Sequence, residues 1–302
     1  RGGTAMKHAL LSLPGIVAAV GGIALATPAA FAQDLAPGLQ KKDAASGGKE
    51  DVATAGFEAA QKPAEDKDAT ELKLSAGGLF TGGNSESIAA TSAAKFRLRR
   101  GMNQLAVALA ANYGEAAPPD SDERETNVEN FQGRIRYDRF IAGNFAVFAS
   151  VSALRDRFQG LALRMNFDPG VAYYFIDEEK HRFWSELGYD LQYDYRREDA
   201  LEAAEAAGTP LDRSTTRQGG RALLAYENGL AESVSFDTSL EYLQAFKDTE
   251  NWRLGWDVGL TASIQAGFSI ATTFSLRYDN NPLPGIETTD MTTAVSLVYQ
   301  LL

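Results

Sequence analysis

Cysteine is absent from all 302 residues, and histidine occurs only twice, at His8 and His181. The first absence removes a disulfide framework, a thiolate metal site and a cysteine-borne lipid anchor. The second leaves little imidazole chemistry, because His8 falls in an N-terminal segment read as removable. No GxSxG elbow, HExxH helix or phosphate-cradling glycine loop is present. Positive charge is also short: 29 Lys and Arg stand against 40 Asp and Glu, a net charge of −11, which argues against a nucleic-acid partner. After the first thirty-odd residues no run of eighteen apolar residues occurs, so no helical membrane span is expected. A membrane β-barrel would escape that test, since only alternate residues of its strands meet lipid.

What is present begins with an export signal. Met6-Lys7-His8 gives a short basic start, ALLSLPGIVAAVGGIALA an apolar middle, and Ala30-Phe31-Ala32 an A-x-A cleavage site. Residues 6–32 therefore read as a signal peptide cut after Ala32, rather than as a retained membrane helix. Residues 33–70 turn to Ala, Lys, Asp, Glu and Gly with almost no aromatics, which predicts a flexible spacer.

From residue 71 onward, period-2 alternation hardly stops. RFWSELGYDLQYDY (residues 182–195) sets Phe183, Leu187, Tyr189, Leu191, Tyr193 and Tyr195 against Trp184, Glu186, Asp190, Gln192 and Asp194. NWRLGWDVGLTASI and SIAATSAAKFRLRR repeat the scheme. Successive strand residues point to opposite faces, so each run has one apolar and one wet face. The turn signals divide residues 71–302 into about twelve strands of roughly 10–15 residues, longer than soluble strands. Links after even strands are short (RRGMN, IAGN, ENGLAE), while those after odd strands include long ones such as EAAPPDSDERET. Trimmed turns at one end and elaborated loops at the other predict an all-β fold. The expected form is a single antiparallel up-and-down transmembrane β-barrel of the outer membrane, with both termini periplasmic. Tyr137, Phe140, Phe145, Phe175, Phe183, Tyr226, Phe268 and Tyr299 are assigned to a girdle near the short turns. Tyr113, Tyr193, Tyr195, Trp252 and Tyr278 are assigned to one near the long loops. A soluble β-sandwich would not sort its links by parity.

Thr81, Gly83, Asn84 and Ser85 form a first-hairpin motif, followed by RDRFQGLALR (residues 155–164), DPGVAYYF and ELGYDLQYDY. In that order these segments resemble the YdiY-like family, the salt-induced outer-membrane proteins of Gram-negative bacteria. The resemblance runs from about Leu72 to the C-terminus. It implies an outer-membrane barrel of undetermined role, tied to salt or osmotic stress. Its partners would be outer-membrane lipid, lipopolysaccharide and the barrel insertion machinery. One departure concerns that machinery: outer-membrane barrels usually end on an aromatic residue, whereas this chain ends Tyr299-Gln300-Leu301-Leu302.

The lumen is the candidate site. By parity Lys73, Lys95, Arg97, Arg134 and Arg136 face inward from early strands, a basic wall. Glu186, Asp190, Asp194, Asp237, Glu241 and Asp257 face inward from later strands, an acidic wall. Two outcomes stay open: a transverse field across a narrow aqueous pore for ions or small polar solutes, or cross-lumen pairing that closes a structural or surface-contact barrel. His181 is expected in a periplasmic turn, the wrong end for a lipid hydrolase, so no enzyme is expected. Acid pairs such as Asp120 with Asp122, or Asp279 with Asp290, read as solvated loop charges, and no metal or cofactor is expected.

Overall fold

The computed structural model describes residues 68–81, 87–116, 124–157, 159–178, 180–281 and 288–301. Residues 6–32, most of 33–70, the hairpin residues Gly83, Asn84 and Ser85, and Asp120 and Asp122 lie outside that set.

Among the described residues, twelve strands form one closed antiparallel barrel in which every strand pairs with its sequence neighbours. The first six are β1 (Ala69–Thr81), β2 (Ser87–Arg100), β3 (Asn103–Ala116), β4 (Glu125–Ala142), β5 (Phe145–Asp156) and β6 (Leu161–Asp177). The rest are β7 (His181–Arg196), β8 (Ser214–Ala231), β9 (Val234–Ala245), β10 (Trp252–Gln265), β11 (Phe268–Asp279) and β12 (Thr289–Gln300). β1 starts two residues before the expected boundary at 71. β12 closes on β1 through Lys73↔Gln300 to Gly77↔Ser296, and the Leu301 amide donates to the Leu72 carbonyl at 2.9 Å.

Even strands end in links of two or three residues, while the links after odd strands reach from Arg197 to Arg213. In the two-residue turn Ala266-Gly267, φ is 53° and 84°. Positive φ at both central residues is the twist that matches a right-handed hairpin, and Gly267 adopts it without steric cost. The longest link carries the one helix of the described residues, α1 (Glu198–Ala206). It is tethered by Arg197–Asp199 at 2.8 Å and by the Arg197 amide on the Gly160 carbonyl at 2.9 Å.

The outward face is apolar and uncovered. Leu187 is 62% exposed, Val295 57% and Ile135 54%, each on the outward parity of its strand. An apolar band around a closed sheet suits hydrocarbon and not water. Rings gather at its two edges: Phe175 on Phe183 (5.1 Å) and Phe268 on Tyr299 (4.5 Å) at the short-turn edge, Trp252 against Tyr278 (4.9 Å) at the other. Phe140 does not join them. It shares inward parity with Arg136 and Asp138 on β4 and is buried inside the barrel, which corrects its assignment to the girdle.

Candidate functional site

Parity decides which side chains enter the lumen. On β7, Trp184, Glu186, Asp190, Gln192, Asp194 and Arg196 are buried, while Leu187, Tyr193 and Tyr195 are exposed. Register carries that parity round the ring: Glu71↔Arg97, Lys73↔Lys95, Ala108↔Arg134, Ala106↔Arg136, Leu223↔Glu241 and Ser239↔Asp257 are inward pairs. Lys73, Lys95, Arg97, Arg134, Arg136, Glu186, Asp190, Asp194, Asp237, Glu241 and Asp257 all sit on the inner face.

The structure departs from two walls of opposite sign. Arg221, Arg253 and Arg277 project inward from β8, β10 and β11, among the predicted acids. Arg221 Nη1 donates to Glu186 Oε2 at 2.8 Å, and its Nε reaches Glu241. Arg277 holds Asp257 at 2.9 Å, and Arg253 Nη2 donates to Gln192 Oε1 at 2.6 Å. From the other side Arg136 grips the same Glu186 with two bonds, 2.8 and 3.0 Å, and holds Asp138 at 2.9 Å. The result is one buried chain, Asp138–Arg136–Glu186–Arg221–Glu241, running from β4 to β9. Two-point guanidinium–carboxylate pairing is the geometry that offsets the cost of burying both charges. β5 and β6 lie between β4 and β7, so the Arg136–Glu186 bond is a chord beneath two strands.

Packing explains how that chord fits. The Arg136 guanidinium lies 3.9 Å above the Phe148 ring, and that ring rests on Gly170. A Cβ at Gly170 would meet the ring at 2.6 Å and the Leu187 carbonyl also at 2.6 Å, so only glycine permits the approach. Beside Phe148, the inward residues Phe140, Tyr174, Trp184 and Leu223 form a buried apolar cluster with Ala146, Ala172 and Ala225. Tyr174 stacks on Trp184 at 6.0 Å, and Arg99 covers Phe140 at 3.6 Å. This side of the lumen, β4 to β8, is filled.

Towards the long loops the interior is filled by polar groups. Arg164 Nε donates to Asp194 at 2.8 Å, Asn166 to Asp190 at 2.7 Å, and Asn112 to Asn130 at 2.7 Å, satisfying groups buried in the barrel wall. Among the described residues no group of three or more His, Asp or Glu could hold a metal ion.

The remaining space is a cavity of about 550 Å³ in the half nearer the short turns, displaced towards β9–β12, β1 and β2. Small polar side chains line its far side, including Ser75, Thr261, Ser269, Thr273 and Ser296. Charges line the rest: Lys73, Lys95, Arg97, Arg136, Lys180 and Arg182 against Glu71, Asp138, Glu227 and Asp237. Six cations to four carboxylates makes this vestibule basic within an acidic chain. His181 sits at the short-turn edge on the outward parity, its Nδ1 3.4 Å from the Tyr226 hydroxyl.

The sequence reading missed the aromatic filling and the three arginines. Parity alone would have found both, since Phe148 and Tyr174 alternate with exposed neighbours and Arg221 with half-buried ones.

The model of the family described as "Protein of unknown function, DUF481" matches residues 74–301. A curated Escherichia coli (strain K12) protein, "Uncharacterized protein YdiY", is 25% identical over 246 residues, spanning 81% of this chain and 88% of that protein. Among solved structures, the NanC porin superposes with a TM-score of 0.45 at 11% identity, covering 77% of this chain and 98% of that one. An outer membrane channel from Pseudomonas putida F1 gives 0.44 at 12% identity, covering 80% and 96%.

Proposed function

The chain belongs to the DUF481 family of proteins of unknown function, and on that premise we propose a passage protein of the Gram-negative outer membrane, carrying ions or small polar solutes. The observation that carries this reading is the vestibule of about 550 Å³, lined by charges and hydroxyls where an all-structural barrel would pack its interior throughout. Short turns with both barrel ends beside them support a periplasmic short-turn side, with long links and α1 outside. The export signal read at residues 6–32 agrees with that address.

A second reading, a sealed structural barrel, is favoured by one observation: the buried chain through Arg136, Glu186 and Arg221 continues into a filled long-loop half. The two readings differ in one measurement. Refolded protein in a planar lipid bilayer is expected to give discrete conductance steps with a measurable ion preference. Silence from protein shown to be folded would favour the sealed barrel, and steps only after removal of residues 33–67 would make that segment a plug.

A further inference from the structure

The vestibule contains a pairing that costs stability unless something offsets it. Lys73 and Lys95 are direct cross-strand partners on the inner face of β1 and β2. Like charges directly opposite each other in a sheet are unfavourable. The carboxylates around them are largely engaged: Arg97 holds Glu71, Arg136 holds Asp138 and Arg182 holds Glu227. Asp237 is the remaining one in the cavity lining; its carboxylate lies against Gly259 on the opposite wall and, together with Asp257, acts electrostatically on Lys95. The Lys73 ammonium makes no hydrogen bond or ion pair among the described residues, and the side chain is exposed to the cavity. The Lys180 ammonium, likewise without an ion pair among the described residues, stands at the short-turn mouth of the same cavity.

We propose that the Lys73–Lys95 pair is an oxyanion site, binding a small solute through a carboxylate or phosphate group, with Lys180 as the cation it meets on entry. An oxyanion between two ammonium groups would turn their repulsion into two charge-assisted bonds, and the hydroxyls of Ser75 beside Lys73 and of Thr261 and Ser263 on β10 suit a polyol body. The cavity volume limits the solute to roughly the lower end of ordinary ligand pockets, about 300–1,000 Å³. The proposal rests on the lumen reading only in that solute reaches the vestibule.

The test is calorimetric titration of the full folded chain in detergent with inorganic phosphate at low ionic strength. Lys73→Gln and Lys95→Gln should each weaken binding about tenfold, some 1.4 kcal/mol, while Lys247→Gln, in the link after β9, should not. Lys73→Arg keeps the charge and should keep most of the binding, which separates loss of the site from loss of the fold. No binding to folded protein, or binding equal in all variants, would overturn the site. Bilayer recordings on the same samples separate the two claims: steps without phosphate binding remove the site and leave the passage, and binding without steps does the reverse.

Discussion

The two sides of this lumen belong to one ring of strands with the same alternation, yet one is full and the other hollow. From β4 to β8 the inward positions carry Phe140, Phe148, Tyr174, Trp184 and Leu223. From β9 through β12 to β2, the inward positions include the small residues Ser75, Gly77, Ala93, Gly259, Thr273 and Ser296. Strand number fixes the width of a barrel, but the size of the inward side chains decides where inside it space remains. A twelve-strand ring sits between filled and open barrels, and this chain resolves the ambiguity by doing one on each side. The buried ion chain marks the boundary, since Arg136 lies on Phe148 while also lining the cavity.

The largest effect should come from the boundary. Glu186→Ala leaves Arg136 and Arg221 buried without their shared carboxylate, a cost of about 3–5 kcal/mol measurable by urea unfolding in lipid vesicles. An unchanged midpoint would mean the two arginines find water instead, and the filled side is wetter than its geometry implies. Next, Gly170→Ala forces a methyl into the Phe148 ring and the Leu187 carbonyl, and should cost about 1–3 kcal/mol by the same assay.

On the hollow side an addition should be tolerated. Thr273→Trp places a ring into free space, so stability should shift by no more than about 1 kcal/mol while conductance falls. Loss of stability there as large as at Gly170 would erase the contrast. The smallest effect belongs outside the lumen: Glu198→Gln, which breaks the exposed, solvent-screened pair with Arg213, should leave the urea unfolding midpoint unchanged.

Much of this architecture can be read from the residues. Parity alone identifies which of Lys73, Arg136 and Glu186 face inward, and the alternation of short and long links orders the strands. What parity cannot supply is height. Strands in a barrel tilt by about 35–45°, so residues level with one another across the lumen are staggered in the pairing register. Arg136 meets Glu186 rather than a group on the opposite wall for that reason, and no spacing in the sequence announces it. Phe140 was misplaced on a different ground. Its nearness to a short turn suggested a girdle, but its inward parity prevailed, and burial against Tyr174 and Arg99 followed.

The absence of cysteine makes the central claim directly testable, because every introduced thiol is the only one in the chain. Ser75→Cys, Thr261→Cys and Ala271→Cys line the hollow side, whereas Ala146→Cys and Ala172→Cys replace residues that are 0% exposed on the filled side. Folded protein in vesicles would be treated with a small water-soluble thiol reagent and the modified fraction followed over time. Fast labelling of the first three and protection of the last two is the expected result. Equal labelling on both sides would contradict a lumen that is hollow on one side only.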